Sequence, residues 1–598
     1  MLIFKIITMK NKIYKVAGYC MLTAAMLSCN NRLEEYNPSG ATAEAAWTTP
    51  QGFLTNVNGA YQEQRAYYGK EDGALLAESG TDLWFTANKS TYAGQITRYT
   101  SLNGSNPGNP TTSIFRLFYR AINICNAGIN RIDNAGFPNV DEKNRRLAEL
   151  RFLRAFYYWH IVEQFGGIVL RTTETTDLQL TASRSSVSAF YDLILSDLKF
   201  AADNLPIDWG QEYSRASKKS ALGMLARAYL SRAYYAPAGS AERTEYLTMA
   251  RNTANDVITR ASELNTALAT SPADLWNPAN NKTDVVRKEA LYIISNSTTV
   301  NLNYDGNGNR LHGWYLTTYS GRPGLIRSIQ YGFDNEKRLQ PTLHLLDLFN
   351  EQMDGRYAAS FQETWNANTS YTWTTASAAS FGKSTTIAGT QLVPNTSLAL
   401  QITKQVVPDK ATKPWVIYDR NDLYNTSDGT IKSLTDFVPM KKFLDYTRTS
   451  PDTRAGFNDI MVIRLAEMYL ISAEAEVGLN NFAAAADKLN VLRVRAAIKT
   501  PVNYSEAMKL TAAQVGDATT GRLNLILDER ARELCGEHLR WYDLKRILNE
   551  DNFASYIKNR NRDITTVENY HRLRPVPLTE LNALQNGAEF GQNPGYSN

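Results

Sequence analysis

In the stretch TDLWFTANKSTYAG, Trp84, Phe85, Asn88 and Tyr92 bring ring faces and an amide together in a loop-like setting. Tyr304, Trp314, Tyr315, Tyr319, Arg322 and Tyr331 repeat that mixture in the middle of the chain, and Trp365, Tyr371 and Trp373 follow. The chemistry such sets can do is non-covalent. A ring lies under the CH face of a sugar while amides and carboxylates take its hydroxyls. The same rings would equally pack a loop onto a core or meet a protein partner. We therefore expect ligand contacts from among Trp84, Asn88, Tyr92, Tyr304, Trp314, Tyr315, Tyr319, Tyr331 and Trp365.

Residue sets that make and break bonds are poorly represented. SAASFGKST approaches a phosphate-binding loop at Gly382, Lys383 and Ser384, but Ser377 stands where its first glycine is required. DGNGNR places Asp305, Asn307 and Asn309 at calcium-loop spacing; Arg310 then takes the glycine position and no glutamate closes the loop, so a surface turn is the favoured reading. Asp528, Glu529, Glu533 and Glu537 alternate with Arg530, Arg532 and Arg540, the pattern of a salt-bridged helix face. A glycosidase needs two carboxylates facing each other across a cleft, which spacing along one helix does not provide. The five histidines lack metal spacing, and His160 and His538 sit among aromatics as packed residues. We expect no catalytic residue, no resident metal and no cofactor.

One cysteine carries a covalent expectation. Lys10, Lys12 and Lys15 precede the apolar run VAGYCMLTAAMLS, which is too short to span a bilayer and ends at Cys29, before the polar NNRLEEYNPSG. Met1 and Met9 are both possible starts. A thiol at this place is the group that accepts diacylglycerol in a bacterial lipobox, with Ser28 the small residue before it; Met26 and Leu27 depart from the usual pattern. Several acyl chains on one residue would hold the chain stably at a membrane. Cys125 and Cys535 each fall in a helical pattern and are expected to be buried and apolar, although an exported chain could pair them.

The elements that must position these groups are mostly helices. In TTSIFRLFYRAINICNAGINRI, Ile114, Leu117, Phe118, Ile122, Ile124 and Ile129 recur at helical spacing, and DEKNRRLAELRFLRAFYYWHIVEQFGG continues the period. Phe190–Leu205, Lys219–Tyr235 and Glu242–Ile258 extend the series, with small residues along KKSALGMLARAYLSRAYY that admit a close neighbour. RLAEMYLISAEAEVGL and FAAAADKLNVLRVRA, separated by the break Asn480 and Asn481 with Gly478 closing the turn, read as a tetratricopeptide hairpin, and LNLILDERARELCGEHLRWYDLKRI as a final long helix. Between about 265 and 445 the helical period disappears and Gly, Asn, Thr, Ser and Tyr dominate, with brief strands such as EALYIIS; a stretch of this length is the expected ligand face. The organisation is thus a signal peptide at 1–28, a tether at 29–50, a helical region at 51–264, the loop-rich insertion at 265–445 and a second helical region at 446–598.

Composition narrows the function further. With 64 Lys plus Arg against 59 Asp plus Glu, the net charge is +5, and no basic run beyond the amino terminus could follow a phosphate backbone, so nucleic acid is not expected as a partner. Several segments in order resemble the SusD/RagB family of nutrient-binding lipoproteins: GFLTNVNGAYQ, RFLRAFYYWHIVEQFGGIVL, IRLAEMYLISAEAEVGL, LDERARELCGEHLRWYDLKR, RLRPVPLTELNALQN and QNPGY. The resemblance implies a mainly α, tetratricopeptide-like scaffold with loop and short-strand insertions. It implies a cell-surface lipoprotein attached through Cys29 to the outer membrane, acting without catalysis beside a SusC-like TonB-dependent transporter. The ligand would be an oligosaccharide or a peptide. Glu34 and Glu35 after Arg32 are similar to the signal that turns such lipoproteins outward, and also read as a solvated tether. The alternatives are a surface glycan hydrolase and a tetratricopeptide scaffold that binds only protein.

Overall fold

The computed structural model describes residues 46–86, 93–304, 308–519 and 521–597. Counting helices of eight residues or more, the described chain runs through α1 (Pro50–Gln62), α2 (Glu71–Glu78), α3 (Asn109–Arg131), α4 (Val140–Phe165), α5 (Val187–Asn204), α6 (Lys218–Ala233) and α7 (Ala241–Thr259). After the insertion come α8 (Leu465–Gly478), α9 (Phe482–Ala496), α10 (Arg522–Leu534), α11 (Arg540–Ile547) and α12 (Phe553–Arg560). Four of these helices are capped locally at their starts: Thr49, Asn139, Ser186 and Ser240 each accept a hydrogen bond from a first-turn N–H.

From α3 to α9 each helix packs on the next, and α7 packs directly on α8 although some 200 residues separate them in the chain. The insertion is therefore looped out of an otherwise continuous array of helical hairpins. Its mouth is closed by an antiparallel pair, with the outgoing strand Ala290–Ile294 against the returning strand Ile460–Arg464. That pair lies on α6, where Gly223 leaves room: a Cβ there would stand 3.0 Å from Leu291 and 3.1 Å from Ile463. Within the insertion, Thr364–Asn366, Leu398–Ile402 and Val416–Tyr418 make a three-stranded sheet, and Trp84–Phe85 pairs with Gln340–Pro341 to tie the insertion to the first helices.

Two details differ from the sequence reading. The expected last long helix is broken between α10 and α11, because Gly536 and His538 adopt positive φ of 78° and 63° and the Met440 methyl occupies the space a Cβ at Gly536 would need. The break between α8 and α9 falls at Asn480, at φ 62°, as expected, but Gly478 does not close the turn; it lets Leu247 of α7 approach closely.

The charges of α10 are salt-bridged, and the pairs are buried rather than laid along an exposed face. Arg464, 2% exposed, reaches Glu289 and Glu533 at 2.8 Å and Glu537 at 2.7 Å. Arg356 reaches Asp354 at 2.7 Å and Glu529 at 2.8 Å, Lys442 meets Glu537 at 2.6 Å, and Arg495 pairs with Glu289 and Glu533. Burial alone would raise the Glu533 pKa, but the guanidiniums of Arg495, Arg464 and Arg356 outweigh it and hold the carboxyl well below its ordinary range. This ionic joint ties together the insertion, its mouth, α9 and α10.

Candidate ligand cleft

One hydrophobic core runs through the first helices and on into the insertion, and it takes most of the aromatic residues expected at a ligand surface. Trp84, Trp314, Tyr315, Tyr319 and Trp365 are each exposed by 2% or less, and Tyr331 is also buried. Trp84 meets the Tyr315 ring edge at 4.8 Å, the Tyr315 hydroxyl donates to the Gly536 carbonyl, and the Tyr331 hydroxyl donates to the Asn366 carbonyl. The contacts of Tyr315 fasten the insertion to the helical regions, and that of Tyr331 ties the insertion to itself. Tyr304 is half-buried with the Lys70 ammonium 5.9 Å from its ring. Cys29, Asn88, Tyr92, Asp305 and Asn307 lie outside the described residues. Asn309 is buried and spends its side chain on the Leu311 N–H and the Asn458 carbonyl.

Nor do the remaining sequence candidates gather into a reactive site. The Lys383 ammonium donates to the Lys410 carbonyl, which is a use in holding a loop. His160 and His538 are pushed down to about 3 by burial and stay neutral at physiological pH. Cys125 and Cys535 are free and buried. Among the described residues, no three His, Cys, Asp or Glu side chains gather in a way that could hold a metal ion.

An open cleft of about 410 Å³ lies elsewhere, between α3, the strap that follows α4, and the carboxy-terminal segment. Helical spacing on α3 turns Ile114, Phe118, Ile122 and Cys125 inward and leaves Phe115, Arg116, Tyr119 and Asn123 along the wall. Gly166, at φ 69°, ends α4, and the chain from Ile168 to Ser185 then crosses the cleft without regular structure. It is stitched down by side chains: the Tyr119 hydroxyl donates to Val169 O at 2.6 Å, the Asn126 amide to Arg171 O and Thr173 O at 3.1 Å, and Thr175 N–H donates to Asn123 Oδ1 at 2.8 Å. Arg154, bound to Asp197 through two nitrogens, holds Asn126 Oδ1 from below. On the far wall, Arg184 donates to three carbonyls and to Asn593 while its guanidinium covers the Phe590 ring at 4.9 Å.

Two kinds of surface therefore meet in one groove. Phe115, Tyr119, Leu178 and Phe590 supply apolar faces, while Asn123, Gln179, Arg171 and the Arg116–Glu580 pair, at 2.7 Å, supply polar groups. Past Arg116 the groove continues into a polar depression of about 380 Å³ lined by Gln95, Asn106, Asn109, Thr112, Thr579 and Asn582. The arrangement suits an elongated ligand with both CH faces and hydroxyls. Sequence reasoning missed it because its walls come from three distant segments. The one local signal was the irregular VLRTTETTDLQLTASRSS, whose Leu178 is 83% exposed beside the groove.

Comparison with known proteins decides the family. Residues 272–596 match the model described as the SusD family, and residues 51–230 match one described as starch-binding, associating with the outer membrane. The chain belongs to the SusD family. It is similar over 98% of its length to SusD-like protein P2 of Formosa agariphila, at 26% identity and across the whole of that relative. Among solved structures, a SusD homologue from Bacteroides thetaiotaomicron shares 21% identity over 93% of this chain and 99% of that one, with a TM-score of 0.67. Surface glycan-binding protein A of Bacteroides fluxus shares 18% identity over 92% of this chain and all of that one, with a TM-score of 0.62. Both solved chains carry the same helical superhelix fold.

Proposed function

We propose that this SusD-family chain is a surface lipoprotein, anchored to the outer membrane through Cys29, that captures oligosaccharides and delivers them to a SusC-like TonB-dependent transporter without chemical change. The observation that carries the capture step is the cleft, where ring faces and amides converge on a groove open along its length. The family assignment supports the anchor, the outer-membrane location and the transporter partner, and the glycan-binding relative supports a sugar rather than a peptide ligand. The charges support capture without catalysis: Glu580 is the one carboxylate among the described residues lining either part of the groove, and Arg116 holds it. Glycoside hydrolysis needs two.

The test is calorimetric titration of the chain from residue 30 onward against neutral oligosaccharides and peptides, with product analysis of the same samples. Saturable sugar binding with the ligand recovered intact is the expected result. Shortened products would replace this reading with a surface hydrolase, and binding to the transporter with no small ligand at all would leave a protein-only scaffold.

A further inference from the structure

A second cavity, of about 280 Å³, opens on another face, between α1 with the turn after it, the 212–215 turn and the outgoing strand of the insertion. Its hydrogen-bonding groups are biased to one sign. The Gln64 side chain, 1% exposed, accepts from the Tyr292 hydroxyl through Oε1 at 2.6 Å and braces this wall from behind, out of a ligand's reach. Asn58 Oδ1 is taken by Arg215 at 2.8 Å, and Ser214 Oγ accepts from Ser295 at 3.1 Å. At Asn58 and Ser214 the accepting half of the group is used within the protein and the donating half is left over.

Arg65 adds charge to this excess of donors. Its Nε and one terminal nitrogen donate to the carbonyls of Ser295 and Leu302, and among the described residues no carboxylate pairs with it. Burial without such a partner draws its pKa below the ordinary guanidinium value. Arg215, on the opposite wall, is already neutralised by Glu149 and Glu212. The unpaired charge in the cavity is thus a single cation, flanked by neutral donors from Asn58 and Ser214.

We propose that this cavity is a second binding site, distinct from the long cleft, that takes one carboxylated sugar unit of the hexuronate class. Arg65 meets the carboxylate in a charge-assisted pair, and Asn58 and Ser214 donate to the carboxylate's second oxygen and to the ring oxygens. A neutral hexose leaves Arg65 unmatched, and a bare carboxylate leaves the neutral donors unused, so both bind more weakly. The size of the cavity, near the lower end of small-molecule sites at roughly 300 Å³, limits the site to about one sugar unit.

The test is titration of the chain from residue 30 onward with sodium glucuronate, glucose and sodium acetate, followed by calorimetry or ligand-detected NMR. Glucuronate is expected to bind at least tenfold more tightly than either glucose or acetate. Arg65→Gln should lower glucuronate affinity at least tenfold, and Ser214→Ala, a milder change, about threefold, with both melting as the parent does. Phe115→Ala, in the long cleft, should leave glucuronate binding unchanged. Equal affinity for glucose or acetate, or glucuronate binding indifferent to both Arg65→Gln and Ser214→Ala, overturns the proposal.

Discussion

Arg464 and Arg116 hold the same functional group in opposite circumstances. Arg464 is 2% exposed and meets three carboxylates in the joint around α10, whereas Arg116 keeps 58% of its side chain in solvent and meets one, Glu580, at the edge of the cleft. In the joint, charge is enclosed and matched, so its removal strands partners in a medium that solvates them poorly. In the cleft, polar and aromatic groups are held by neighbours but remain reachable. The first region keeps a 200-residue insertion in register with the helical array; the second is free to exchange water for a ligand.

The largest effect that would break this contrast is loss of the Arg464 guanidinium. Arg464→Met should destabilise the fold by about 3–5 kcal/mol in urea unfolding, while the fraction still folded keeps its oligosaccharide affinity. A variant as stable as the parent would show that the joint is not what holds the insertion.

Acid should separate the regions next. Glu529, Glu533 and Glu537 have folded pKa values held below the ordinary carboxylate value by the surrounding arginines against the opposing effect of burial; His160 and His538 are depressed to about 3 by burial. All of these bind protons more readily when unfolded. Their contributions are complete above the unfolded histidine pKa of about 6.5, and the histidine part is lost as pH falls from there towards 3. The carboxylate part follows below about 4.3, the unfolded glutamate value. The urea midpoint should therefore drop steadily between pH 7 and 4, while affinity for a neutral oligosaccharide stays flat from pH 7 to 5. A midpoint independent of pH would contradict the assignment.

Smaller effects belong to the cleft. Phe115→Ala removes a ring that packs edge-on to Phe165 at 5.2 Å and lines the groove, and should weaken oligosaccharide binding about tenfold, or ~1.4 kcal/mol. Leu178→Asn, at a residue 83% exposed, should change stability by less than about 0.5 kcal/mol yet lower affinity measurably in the same titration. Unchanged affinity in both variants would move the ligand away from this groove.

The helices were legible because their signals are local. The periods behind α3 to α7 and the pair α8–α9 stand in the sequence to within a few residues, and EALYIIS became the outgoing strand at the insertion's mouth. What was not legible was direction. Trp314 and Trp365 sit in segments without helical period, which reads as exposed loop, yet the insertion folds against the same core as the first helices and turns both rings inward. The charges of α10 read as a salt-bridged helix face, and the burial of those pairs was not legible for a similar reason: the partners Arg356, Lys442 and Arg464 come from elsewhere in the chain. The cleft joins Phe115, Leu178 and Phe590 across more than 400 residues, a distance over which no spacing rule operates.

Hydrogen exchange followed by mass spectrometry, with and without a saturating oligosaccharide, tests the central claim most directly. Ligand should slow exchange in peptides covering 109–131, 168–184 and 576–590, leaving 311–373 unchanged. Protection confined to 311–373, with the cleft peptides unaffected, would return the ligand face to the insertion and contradict the account.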